Sequence, residues 1–244
     1  ATFTGVQLTG QAIAVNATAA GAATLAINVT SAVAVSLATL TFAAFGGNNA
    51  FDTGTDVITI TGAGLAENIT GSSIADTITG GAALDALAGG AGNDIFLFNT
   101  GDVAAGETIN GGADTDTISV VTSTDFSTLT TATILTAGAV ERILITSGVT
   151  ATFTGVQLTG QAIAVNATGA GPATLAINVA TGTTATFATL TFTAFGTNNA
   201  FDTGIDVITI TGAAGNETIT GTSIADTING AAGNDTLTGG LGDD

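Results

Sequence analysis

Apolar and polar residues alternate along the first fifty positions. In "QAIAVNA" Ile13 and Val15 share one face, in "ATLAINV" Leu25, Ile27 and Val29 do, and "ATLTF" repeats the pattern with Leu40 and Phe42. Alternation with period two, carried by Thr, Val and Ile, predicts strands. Ala, Gly and Asn fill the turns between them. Helical spacing is nearly absent, although "TTATILTAGAVERIL" (130–144) accommodates a short turn of helix.

Near residue 62 the period changes to nine. "GAGLAENIT", "GSSIADTIT", "GGAALDALA" and "GGAGNDIFL" follow without a gap from 62 to 97. Each opens on Gly, carries an acid at its sixth position and places an apolar residue at its eighth. After four intervening residues, "DVAAGETIN" and "GGADTDTIS" continue to 119. A glycine-rich loop of six residues followed by a strand of three is half a turn of a parallel β-roll. Glycine adopts positive φ at little cost, so it can close the loop and turn backbone carbonyls toward one point. The acid adds a carboxylate beside them, and a hard cation with several oxygen ligands, calcium, fits such a loop. Ile69, Ile78, Leu87 and Phe96 then point inward and stack.

The whole chain also repeats. Sliding it by 150 aligns 1–94 with 151–244, and 68 of those 94 positions are identical. "ATFTGVQLTGQAIAVNAT" recurs unchanged at 151–168, and the nonads return as "GAAGNETIT", "GTSIADTIN", "GAAGNDTLT" and "GGLGDD" from 212 to 244. Five segments follow: an uncharged Thr/Ala-rich solenoid stretch at 1–61, nonads at 62–119, a connecting β segment at 120–150, a second solenoid stretch at 151–211, and nonads again at 212–244. The last nonad stops in mid-motif, which predicts a window onto a longer tandem array.

"GGAGNDIFL" resembles the RTX, or haemolysin-type, nonapeptide G-G-x-G-x-D-x-U-x, and its neighbours match it with one or more glycines missing. The uncharged stretches are similar to the solenoid segments of bacterial surface-layer proteins and giant adhesins. The resemblance implies an all-β, right-handed parallel β-solenoid, with calcium held between loops two nonads apart. On this sequence Asp76 would share a site with Asp94, Glu67 with Asp85, Glu217 with Asp235, and Asp226 with Asp244. Glu107 and Asp116 occupy the same sixth position. Glu67, Glu107 and Glu217 depart from the family's Asp, and the 80–88 loop carries Ala83 for Gly and Leu84 where the fuller motif has Asn or Asp.

Composition narrows the chemistry. The chain has 244 residues, 19 acids, one base and no His or Cys. Zinc fingers, thiol nucleophiles and Ser-His-Asp triads are thereby excluded. A single Arg gives nucleic acid no electrostatic purchase. A net charge of −18 attracts cations and opposes anionic membranes. Apolar runs are broken too early for a spanning helix, and Tyr and Trp, the girdle residues of membrane barrels, are missing. "DTGTD" (Asp52 to Asp56, again Asp202 to Asp206) either holds a further ion or caps a turn. Asp114, Asp125 and Glu141 read as surface or turn residues, and Glu141 with Arg142 as a local ion pair. The expected protein is a non-catalytic, calcium-rigidified building block of an extracellular bacterial filament, surface layer or adhesin stalk, associating with copies of itself at the cell surface. The alternatives are a ligand- or ice-binding adhesin region and the calcium-binding tail of a secreted enzyme.

Overall fold

The computed structural model describes residues 1–11, 23–31, 34–42, 56–129, 140–192 and 205–244. Among the described residues the fold is all-β apart from two helices of four residues each, and the pairings between the strands are parallel. Eight strands form one sheet: Thr2–Thr4, Thr24–Asn28, Val57–Thr61, Asp76–Thr79, Ile95–Phe98, Thr117–Val120, Arg142–Thr146 and Ala164–Thr168. Between them the chain visits a four-stranded sheet of Ala34–Ser36, Asn68–Thr70, Ala86–Ala91 and Thr108–Ala113. In the second half a five-stranded sheet (Thr124–Asp125, Thr150–Thr154, Thr174–Asn178, Val207–Thr211, Thr227–Asn229) alternates first with the eight-stranded sheet. It then alternates with a three-stranded one, Thr184–Thr186, Thr218–Thr220 and Thr236–Thr238. Strand neighbours in space are therefore one coil apart in sequence, the signature of a parallel solenoid or β-roll.

Register follows the sequence period. Ile60 lies beside Ile78 and Ile78 beside Phe96, each step being 18 residues, or two nonads. The column continues through Ile118, Ile143 and Val165, with steps of 22, 25 and 22 that absorb the longer turns. Every member of this column is fully buried. Removing each such side chain from water contributes about 1.5–3 kcal/mol. Ile69, Leu87 and Ile109 form the matching column on the four-stranded sheet. Where the two copies meet, Phe126 packs edge-on against Phe98 at 5.2 Å and stacks on Phe153 at 4.7 Å.

The alternation predicts Leu25, Ile27 and Val29 as inward residues, and all three are buried. Ile13 and Val15 lie outside the described residues; their counterparts Ile163 and Val165 are buried. "ATLTF" departs from expectation. Ala38 and Thr39 form a turn closed by Leu40 N–H donating to the Leu37 carbonyl at 2.9 Å, and the segment makes no regular strand. In the second copy it contributes a single bridge, Thr191 to Ala164. Of the segment 130–144, where the sequence accommodates a short turn of helix, residues 142–144 belong to the strand Arg142–Thr146, paired on both sides. Residues 130–139 lie outside the described residues.

Among the described residues helix appears at Gly5–Leu8 and Gly155–Leu158. The reason is a capping box: Thr154 N–H donates to Gln157 Oε1 at 2.6 Å, and Gln157 N–H returns to Thr154 Oγ1 at 3.4 Å. Gln157 also donates to the carbonyls of Phe126 and Leu129, at 2.8 and 2.7 Å, tying the second copy to the end of the first. No helix among the described residues is long and apolar enough to cross a membrane.

Candidate metal centre

Each nonad acid stands at the end of its six-residue loop, where the chain re-enters a sheet. Loops 71–76, 89–94 and 111–116 lead into the eight-stranded sheet, and loops 62–67, 80–85 and 102–107 into the four-stranded one. Stacking of the rungs then stacks the acids. Asp76 N–H donates to Asp94 Oδ1 at 2.8 Å, Asp94 N–H to Asp116 Oδ1 at 2.9 Å, and Asp116 N–H to Glu141 Oε2 at 2.9 Å. On the other set of loops Glu67 N–H donates to Asp85 Oδ1 at 2.8 Å. The second copy repeats the relation, Glu217 N–H to Asp235 at 2.9 Å and Asp226 N–H to Asp244 at 3.0 Å.

Asp76, Asp85, Asp94 and Asp116 each spend one oxygen on a backbone N–H and keep the other unpaired. Asp76 Oδ1, Asp85 Oδ2, Asp94 Oδ2, Asp116 Oδ2, Glu107 Oε1, Glu217 Oε2 and both Glu67 oxygens are buried without a hydrogen-bond partner. The loops crowd carbonyls around the same points. A Cβ on Gly89 would strike Asp94 Oδ2 and come within 2.5 Å of the Gly111 carbonyl; one on Gly71 would strike the Gly89 carbonyl and lie 2.5 Å from Asp76 Oδ2. Only glycine leaves that oxygen-lined space open. In several of the loops the motif's second and fourth positions take positive φ. Gly90 and Gly92 have φ of 116° and 106°, and where glycine is missing Ala83, Asp114 and Ala231 take 88°, 80° and 66°.

Electrostatics shows what this arrangement needs. Loss of solvation pushes Asp94 up to about 8, with the charges of Asp76, Asp116 and Asp114 adding to it. Burial likewise takes Glu107 to about 8, Asp76 to about 7 and Asp116 to about 6, and raises Glu67, Asp85 and Asp226. Buried, half-paired carboxylates cost several kcal/mol each unless protonated or matched by a cation. Among the described residues no three acidic side chains gather around one point. A cation here would therefore take backbone carbonyls along with one or two carboxylates. An all-oxygen donor set of that kind suits calcium.

Of the residues singled out in the sequence, Glu67, Asp76, Asp85, Asp94, Glu107, Asp116, Glu217 and Asp226 are buried at loop ends; Asp235 is half-buried and Asp244 exposed on the last rungs. Asp85 is fully buried despite the departures at Ala83 and Leu84. Asp56 and Asp206 are buried immediately before the strands Val57–Thr61 and Val207–Thr211. Each accepts a backbone N–H at 2.7 Å, from Ala23 and Ala173, as a cap on the neighbouring rung does. Asp52 and Asp202 lie outside the described residues. Asp125 is exposed and accepts a local bond from Ser127 N–H at 2.8 Å. Asp114 is exposed too, yet reaches back to Gly92 N–H at 3.0 Å. Glu141 is the residue the period missed, since it lies outside any nonad and still forms the fourth step of the ladder. Its signal was local: like the nonad acids, it immediately precedes an alternating strand, "RILIT".

Residues 61–102 and 211–244 match the RTX calcium-binding nonapeptide repeat, in four copies. Repeats of this kind bind calcium ions, and the two matched stretches are calcium-binding repeat regions of this chain. The match ends at 102, so Glu107, Asp116 and Glu141 continue the carboxylate stack beyond it. Comparison with curated proteins returns no match, and comparison with solved structures returns none.

Proposed function

We propose that these RTX repeats make the chain a calcium-stiffened structural segment of an extracellular bacterial filament, surface layer or adhesin stalk, working beside further copies of itself and without a catalytic centre of its own. The observation that carries this reading is the junction between the copies. The eight-stranded sheet runs from Thr2 to Thr168 across it, and Phe126 of the first copy stacks on Phe153 of the second. One copy thus continues into the next through hydrogen-bonded rungs. Calcium would neutralise the stacked carboxylates and so switch a strongly acidic secreted chain from disorder to a rod.

Electron microscopy of the chain with its native flanking sequence, at saturating calcium, tests the reading. Rods or ordered sheets with an axial repeat set by the 150-residue unit are expected. Short monodisperse particles under those conditions would overturn it.

A further inference from the structure

The two copies are nearly identical in sequence, yet equivalent strands lie in different sheets. Thr24–Asn28 belongs to the eight-stranded sheet and its counterpart Thr174–Asn178 to the five-stranded one. Val57–Thr61 and Val207–Thr211 divide in the same way, and so do Asp76–Thr79 and Thr227–Asn229. Asn68–Thr70, in the four-stranded sheet, answers to Thr218–Thr220 in the three-stranded one.

The register explains the displacement. Starting from Ile27, the inward column recurs at Ile60, Ile78, Phe96, Ile118, Ile143 and Val165. The bridge from Ala164 to Thr191 sets the next rung on that side. Ile177, the copy of Ile27, falls between these two levels and joins Phe153 and Ile210 on the five-stranded sheet. The unit of 150 residues therefore does not close a whole number of turns.

We infer that successive copies are rotated about the solenoid axis, so that the chain displays equivalent surfaces and equivalent calcium loops on different sides. Loop 71–76 enters the eight-stranded sheet and loop 221–226 the five-stranded one, which moves Asp76 and Asp226 to different positions around the axis. Two consequences follow for a longer array, and they rest on the proposed structural role. Calcium tightens the loops on more than one side, so loading stiffens the rod without curving it one way. A partner that recognises one copy is met by the next copy from another direction. Such an array suits all-round display on a filament or stalk better than a layer with one presenting face.

The absence of cysteine allows single labels to be placed cleanly. Thr61→Cys and Thr211→Cys introduce exposed, equivalent thiols, one in each sheet. With both biotinylated and capped by streptavidin, electron microscopy of the calcium-loaded chain should show the two markers projecting from different sides of the particle. Both markers in line on one side would overturn the inference. If this pair perturbs folding by circular dichroism, Val6→Cys with Val156→Cys, 63 % and 62 % exposed, provides an independent pair read in the same way. Marker position is read on the two-copy chain alone. It stands or falls separately from polymer formation by the flanked chain, which tests the structural role.

Discussion

Asp94 concentrates the chemistry of the molecule in one side chain. One of its oxygens holds the rung before it through Asp76 N–H, and the other faces the carbonyl-lined space at Gly89. Asp94→Ala should lower calcium affinity by more than the roughly 10–100-fold that loss of a mere supporting contact costs a metal site. Asp125→Ala, which alters only a local turn, should leave affinity unchanged; calorimetry on the full chain compares them, and equal effects would show the ladder to be misassigned. The positive-φ positions give a second residue-scale expectation. Ala83 is held at 88° where the motif wants glycine, a conformation that costs an L-residue roughly 1–2 kcal/mol. Ala83→Gly should raise the calcium-loaded melting temperature by about 2–4 °C. A lowered one would mean that the alanine methyl group makes compensating contacts.

At the scale of the element, the stacked loops couple calcium to protons. With folded values of about 8 for Asp94 and Glu107 and about 7 for Asp76, the metal-free fold retains protons that the unfolded chain has released above its ordinary value near 4. Linkage fixes the sign: this stabilisation is fully present below about pH 4 and disappears as pH rises toward about 8. The chelated chain should keep more β signal and resist heating better at pH 5.5 than at pH 8.5, where little fold should remain, while calcium affinity climbs over the same interval as the metal displaces those protons. A chelated chain that melted higher at pH 8.5 would contradict the burial on which the site rests. The elements themselves were largely legible, because a period of nine fixes both the loop acid and the inward residue, and Ile69, Ile78, Leu87 and Phe96 are buried as read. Glu141 was hidden because its turn departs from the period, with a step of 25 residues in place of 18. The helical turn at Gly155–Leu158 went unread although Thr154 and Gln157 spell a capping box, since four residues carry no periodicity. "ATLTF" misled for the opposite reason: Leu40 is buried as alternation demands, but by a turn.

At the scale of the whole molecule, hydrophobic columns and carboxylate stacks compete. The columns of Ile, Leu and Phe favour the coil at any ionic condition. A net charge of −18, with many acids at the inner ends of loops, opposes it until a cation is present. Rotation of one copy against the next follows from the unequal turn lengths and could not be read from a linear repeat of 150. Calcium-dependent folding is the claim on which the rest depends. Far-ultraviolet circular dichroism of the chain in chelator at pH 7.5, followed by titration with calcium, measures it directly. The account requires a large loss of β signal without calcium and its cooperative return as calcium is added; unchanged spectra and an unchanged melting temperature after verified removal of calcium would contradict it.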